Sequence, residues 1–593
     1  MLFSLGHGQH TFLEKSEDSK TSSADKPLSS AMELPSEGVG DLGGKFAFYF
    51  PDAPSVAHTP DIAAKLDALA NAMVEQAPED ATLNTVIPPI YTYFGQFIDH
   101  DATANTDRES GTSNIRDDAL EPVGRSEVER DLLNLRNGSM RLDSLYGDGP
   151  GGGAFSKKLQ DMMRFPADKA KMRLGVPVTI PNQTPPLPDD PASDLLRIGR
   201  LISDDTNSGI TLEELRALPG DLRQSYLDQN ENLIPQRAVI GDARNDENLI
   251  IAQLQVAFLR FHNKTVDWLR STGAAENGTE ALFTQASQLV KWHYQWLIVN
   301  DFLKRICRED MLDFVISQGA SVYTEFFNRN RPTDPNRMPM PLEFSVAAYR
   351  FGHTMVRNEY DYNRVFGTAV PGSSPPLLDN ASLQLLFTFT GRSPTPMPSQ
   401  AGGQHVRLPS NWIIEWDRFV GEPVENSERS SRKLDTFLSP QLKDMPNEME
   451  GVFRHLGQRN LRRGHKLNIP SAQACISEFN RISGSEITNL TSDELLSGDT
   501  GEAVASGGFD VDTPLWFYVL KEAEVRESGN RLGMLGSAIV ADTLVGLIAN
   551  DPESFWSAPC SNNIRWQPSD GVHGHNGEIV DNLSAFLRFA GML

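Results

Sequence analysis

The chain has 593 residues, 39% hydrophobic and 22% charged, a balance that suits a globular protein with a large core. Its net charge of −25 and pI of about 4.9 exclude nucleic acid and anionic membrane as bulk electrostatic partners, because both repel an acidic surface. The three cysteines, Cys307, Cys475 and Cys560, are far apart and form no CxxC pair, which excludes a disulfide framework and a zinc ribbon.

In chain order, the N-terminus lacks a basic segment followed by a long apolar one, so no ordinary signal peptide is expected. Residues 1–44 read as a partly mobile arm, rich in Ser, Glu, Asp, Lys and Gly between 14 and 42. Ile62, Leu66, Leu69 and Met73 recur at helical spacing in 60–77. GPGGG at 149–153 and TIPNQTPPLPDDPA near 180 are loops. The stretch 244–271 predicts one long amphipathic helix with an acidic start and a basic second half. Helix is also predicted over 280–318, 434–457, 471–481 and 513–550, and the Pro/Ser/Gly-rich 364–411 is loop. LGMLGSAIVADTLVGLIAN at 532–550 is broken by Asp542 and glycines and reads as a core helix, not a transmembrane segment. No run of alternating strands and no fixed-period repeat is found. The expected architecture is mostly α, one large domain over 45–593 with long loops and little β, with 195–230 as an insertion. Without leader or span, the expected location is cytoplasmic, or outside the cell by a leaderless route.

Four short stretches carry chemistry. In YTYFGQFIDHDATANTD, Gln96, Asp99 and His100 are spaced i, i+3, i+4 and share one helical face, while Asp101 points elsewhere. In IGDARNDENLI, Arg244 and Glu247 share a face, and Asp242 stands at an N-cap position. In YRFGHTMVRNEY, Gly352 before His353 costs a helix roughly 1 kcal/mol relative to alanine, which close approach of a flat ligand would explain. In RNLRRGHKLNIPS, Asn460 precedes arginines that suit carboxylates. Each alone reads equally as a core histidine, a capped helix or a solvated basic turn. Two other stretches are set aside. SDDTNSGITLEEL at 203–215 looks like a shortened EF-hand loop but misses the roughly twelve-residue spacing, and a surface helix start fits it better. YGDGPGGG lacks the Lys-Ser/Thr ending of a phosphate loop.

Taken in order, FGQFIDHD, GDARNDEN, FLRFHN, YRFGHTMVRNEY, RNLRRGH and TPLWFYVLKEAEV resemble the animal-type haem peroxidases, the superfamily of myeloperoxidase, lactoperoxidase and the prostaglandin synthases. The likeness runs from about residue 45 to the C-terminus and is nearest to the bacterial branch. It implies haem b and an enzyme that reduces hydrogen peroxide and oxidises a small donor (halide, thiocyanate or aromatic) through a ferryl haem radical. His100 matches the distal acid–base histidine, Arg244 the distal arginine and Gln96 the distal glutamine. His353 matches the proximal iron ligand, and Asn460 the asparagine that accepts its other ring N–H. Arg350 and Arg463 match propionate partners. Asp99 and Glu247 match the two acids that form ester links to haem in the mammalian enzymes. Asn248 replaces the methionine of the third link of myeloperoxidase, so that link is expected to be absent.

The likeness also implies calcium. Asp101 matches one ligand, and RNGSMRLDSLYGDG supplies Asn137, Ser139 through its carbonyl, and Asp143. Calcium takes about six to eight oxygens. Arg141 stands where the family carries an aspartate, so either Asp143 compensates or Arg141 takes the ion's place beside Asp101. Prostaglandin synthases and fatty-acid dioxygenases use a tyrosine where this chain has Arg350, and Tyr349 is expected to point about 100° away. No membrane-binding module is seen. Fatty-acid oxygenation is therefore the alternative reading.

Overall fold

The computed structural model describes residues 44–593 apart from 79, 105, 107–111, 148–153, 181, 183–184, 188–189, 203–208, 219–222, 224, 335, 370, 394–406, 422–428, 446–450 and 559–564. The expected N-terminal arm up to residue 43, the whole glycine-rich 149–153 loop, the start of the EF-hand-like stretch and Cys560 lie outside them.

The described residues are mostly helical. Eight helices frame the site: α1 (Ile62–Ala72), α2 (Ile90–Ala102), α3 (Leu249–Ser271), α4 (Thr279–Leu297), α5 (Leu456–Lys466), α6 (Leu515–Glu527), α7 (Met534–Ala549) and α8 (Leu583–Ala590). Strands are few, and the longest described, Asp168–Met172, has 5 residues. Gly44–Ala47 pairs antiparallel with Leu133–Asn134 and parallel with Met340–Pro341. One continuous cluster of buried apolar side chains runs from Phe46 to Ala590.

α7 is buried on nearly every side, as an all-round apolar helix must be. Its Asp542 is a buried anchor that accepts from the Tyr49 hydroxyl at 2.7 Å and the Tyr323 N–H at 2.5 Å. No described helix is long and apolar enough to cross a membrane.

Two predicted helices differ. The 244–271 stretch opens with a 3-10 turn, Ala243–Asp246, capped by Asp242. α3 itself begins only at Leu249, where Asn248 Oδ1 accepts from the Ile251 N–H. Asn and Asp both compete for cap positions, and here each caps one segment. Among the described residues of 434–457 the structure has only short 3-10 turns before α5. There the chain pairs with the exit of α1: Leu438 N donates to Met73 O, and Glu75 N donates to Leu438 O. Pro440 and Pro446 also remove donors that a helix needs.

Candidate active site

Pro88 and Pro89 precede α2, where missing N–H groups cost nothing. The helix ends at Thr103, whose backbone N–H donates to Asp99 O and whose hydroxyl donates to Asp99 Oδ1 at 2.9 Å. The Phe97 ring stacks on Phe258 of α3 at 4.6 Å between centroids and fixes the rotation of α2. Phe302 lies 3.2 Å from where a Cβ on Gly95 would stand, so only glycine lets the two elements approach this closely.

Gln96, Asp99 and His100 then line one cavity of about 360 Å³, as their spacing predicts. The opposite element is a 3-10 segment, Ala348–His353. In a 3-10 turn residues i and i+3 eclipse, and Arg350 and His353 both line the same cavity. Gly352 does too. Its backbone needs no left-handed angle, and a Cβ built there meets no atom within 4 Å. The cavity therefore has room where a flat group could lie between His100 and His353.

His100 is fully buried, with Nδ1 2.7 Å from Asn245 Oδ1. Asn245 Nδ2 donates to Gln255 Oε1 at 2.9 Å, which sets the amide orientation. A carboxamide oxygen only accepts, so this amide orientation goes with a proton on Nδ1 and a lone pair on Nε2. Nε2 lies 3.8 Å from Glu247 Oε1, which also accepts from Gln96 Nε2 at 2.5 Å. Asn248 Nδ2 donates to Gln96 Oε1 at 3.4 Å.

Arg244 departs from its expected place. It is not among the residues that line the cavity. Its guanidinium donates to Asp242, to His100 O at 3.0 Å and to Thr103 O at 2.6 Å. Asp242 also holds Arg136, and the two arginines keep its carboxylate far below the usual range despite burial. The reason is competition: a buried carboxylate and two bare helix-end carbonyls outbid an open cavity for the same donors.

Asn460 also differs. Its Oδ1 accepts from Arg350 Nη1 at 2.9 Å, and its Nδ2 lies 3.0 Å from His353 Nδ1. The resemblance expects Oδ1 to accept from that ring nitrogen. Arg350 claims the oxygen first. Arg463, like Arg244, is absent from the cavity wall; Arg350 Nη2 donates to the Thr106 hydroxyl and Arg463 Nη1 to the Thr106 carbonyl. Tyr349, expected to point away, lines the cavity as well, and its hydroxyl donates to Gly95 O at 3.2 Å.

On the far side of α2, Asp101 accepts from Leu142 N, Ser144 N and the Ser144 hydroxyl at 2.9 to 3.1 Å. Burial, then the nearby Asp143, pushes Asp101 up to about 7. Asn137 Nδ2 donates to Asp143 Oδ2 at 2.6 Å. Arg141 does not take the ion's place beside Asp101: it turns away to Asp551 at 2.5 Å and to Glu553 at 3.1 Å. Ser139 Oγ is shut off from solvent with no partner among the described residues.

Sequence reasoning missed Asn245, although it sits beside Arg244 in a quoted motif. It also missed Arg237, Arg392 and Arg459, which line the cavity. Only Arg459 carried a signal, as the residue before Asn460.

The fold and site define a mostly helical protein with a histidine on each of two elements of one cavity. Residues 199–383 match the animal haem peroxidase family model. A Peroxidase-like protein of Margaritifera margaritifera is 27% identical over 283 residues, 46% of this chain and 32% of that protein. Peroxidasin homolog pxn-2 of Caenorhabditis elegans is 21% identical over 320 residues, 53% of this chain and 21% of that protein. The chain thus spans about a third or less of the length of these curated relatives. Among solved structures, peroxidase A of Dictyostelium discoideum has a TM-score of 0.49 at 14% identity, covering 87% of this chain and 89% of that one. The fatty acid alpha-dioxygenase of Arabidopsis thaliana has a TM-score of 0.48 at 14% identity, covering 88% and 74%. The family likeness thus covers residues 199–383, under half of the chain.

Proposed function

We propose that this protein is a haem-dependent peroxidase that reduces hydrogen peroxide and oxidises a small donor. The observation that carries the reading is that His100 and His353 line one cavity, with His100 Nδ1 2.7 Å from Asn245 Oδ1 and Nε2 left as the ring nitrogen for proton transfer. The residues fit haem b. Room beside Gly352 accepts a flat group, His353 would hold the iron, and Arg350 would meet a propionate. Haem, when bound, supplies the redox-active iron at which peroxide reacts.

His100 Nε2 takes a proton from hydrogen peroxide and returns one to the departing oxygen, which leaves as water. Gln96 orients a water or anion beside it. Arg244 acts as a positioning residue, because its donors hold the end of the helix that carries His100. His353 would hold the iron as a neutral imidazole through Nε2, with its proton on Nδ1. Asn460, whose amide contacts both His353 Nδ1 and Arg350, would accept that proton through Oδ1 if Arg350 paired with a propionate instead. Arg463 supports that end through Thr106.

Replacing His100 by alanine should slow the reaction with peroxide by about two or more orders of magnitude with haem content retained. Stopped-flow absorbance at the Soret band measures it, and a normal rate would remove the assigned role.

Asp99 and Glu247 are proposed tethers to haem, since both carboxyls line the cavity. After peroxide treatment, acid–acetone should leave haem on the protein, and the double variant Asp99→Ala/Glu247→Ala should release it. Release from the wild type would sink the tethers. Calcium is proposed at Asp101 and Asp143, two buried acids that a cation would relieve, with Asn137 and Ser139 supplying neutral oxygens.

A second reading, fatty-acid dioxygenation, has Tyr349 in its favour, because that hydroxyl stands at the cavity instead of turned away. Oxygen uptake with an unsaturated fatty acid, abolished in Tyr349→Phe, would support it; no uptake would remove it.

A further inference from the structure

The cavity wall carries more positive charge than the proposed reaction uses. Its charged lining residues are four arginines, Arg237, Arg350, Arg392 and Arg459, against two acids, Asp99 and Glu247. The chain as a whole carries −25. A cationic cleft in an acidic protein focuses its field on anions.

Arg237 is the key residue. Its Nε is shut off from solvent and has no hydrogen-bond partner among the described residues. Burial, then the like charge of Arg392, pulls its guanidinium down to about 10, so it is still charged at neutral pH. The nearest acid acting on it, Asp246, is committed elsewhere: its Oδ2 accepts from Arg197 at 2.5 Å and from Gly391 N at 2.8 Å. Two like-charged guanidiniums lining one cavity repel each other, and an anion between them would relieve that repulsion. The same cavity is also lined by the apolar side chains of Leu383, Phe387, Leu442 and Met445. A small inorganic anion would gain nothing from those side chains.

We infer that Arg237 and Arg392 form a subsite for the carboxylate of an organic acid whose apolar body lies against Phe387 and its neighbours. The inference rests on the peroxidase reading and names the class of donor it takes. Arginine suits the role because its fork meets a carboxylate with two parallel bonds. Arg350, the arginine assigned to a propionate, is joined through Thr106 to Arg463 and not to this pair by any hydrogen bond among the described residues.

The test uses haem-loaded full-length protein and two matched pairs of probes. Benzoate and benzamide, which are not consumed, are titrated by calorimetry. Their 4-hydroxy counterparts are then compared as donors with peroxide. Benzoate should bind at least about tenfold more tightly than benzamide, and 4-hydroxybenzoate should have a correspondingly lower KM than the amide. Arg237→Gln should bring each pair to within about twofold, with the haem spectrum retained. If that variant fails to hold haem, Arg392→Gln carries the same expectation. Equal binding of benzoate and benzamide to the wild type overturns the inference, as does a preference that survives both substitutions. Oxidation of neither phenol alongside tight benzoate binding would instead overturn the peroxidase reading and leave the subsite standing.

Discussion

A base at position 100 needs its lone pair on Nε2, and the Asn245 oxygen 2.7 Å from Nδ1 supplies the acceptor that puts it there. Gln255 holds the Asn245 amide in turn. Partners of this kind typically change activity by about 10- to 100-fold when removed. Asn245→Ala should therefore lower kcat/KM for peroxide within that range at unchanged haem content. Asn245→Asp tests the cause: a carboxylate there favours the protonated ring, so the acid limb of the rate profile should move to higher pH. An Asn245→Ala profile superimposable on the wild type would reduce the residue to packing. At this scale the sequence was partly legible. Gln96, Asp99 and His100 reach one cavity because helical spacing dictates it. Arg244 does not, because the choice between cavity and Asp242 depends on where a helix end and a second arginine, Arg136, are brought.

At the scale of elements, α2 is held from both sides. One face meets the cavity, and Asp101 on another ties it to the start of the segment at Asp143–Tyr146. If calcium bridges Asp101 and Asp143, free calcium at about 100 times its dissociation constant should stabilise the holoprotein by about 2.7 kcal/mol. Thermal melts with calcium, magnesium and chelator read this out. The calcium effect should vanish in Asp143→Ala. A melting point indifferent to calcium would leave Asp101 as an acceptor for the N–H groups of 142 and 144 alone. The helices α1, α2 and α7 were visible as periodic apolar runs. The proximal element was not, since 3-10 geometry over 348–353 gives no sequence signal distinct from a helix, and that geometry brings Arg350 beside His353.

For the whole molecule, two histidines buried far from the cavity report on acid stability. His262 is held between the Tyr146 hydroxyl and Ala170 O, and burial lowers it to about 4; His293 is lowered to about 3 for the same reason. Below about pH 6.5 the unfolded chain binds protons that these folded rings refuse, so their stabilisation is present above that pH and fades as pH falls towards the folded values. Asp435, raised by burial to about 8, and Glu522, raised to about 7, act in the opposite sense. A difference between two proteins isolates one ring. The gap in unfolding free energy between wild type and His262→Phe should narrow by about 2 kcal/mol from pH 7 to pH 5. Denaturant titrations at both pH values measure it, and a constant gap would mean that His262 is charged or exposed in the folded state.

The sequence by itself determined the helical class and the facing set Gln96, Asp99 and His100. These follow from composition and from side-chain period, which are local. Only the tertiary structure decided that Arg244 lies outside the cavity, that Arg141 turns to Asp551, and that 434–457 pairs with the exit of α1 instead of coiling. It also gathered Arg237, Arg392 and Arg459 from three separate stretches into one wall. A charged side chain takes the partner that burial leaves nearest, and which partner that is depends on segments distant in sequence.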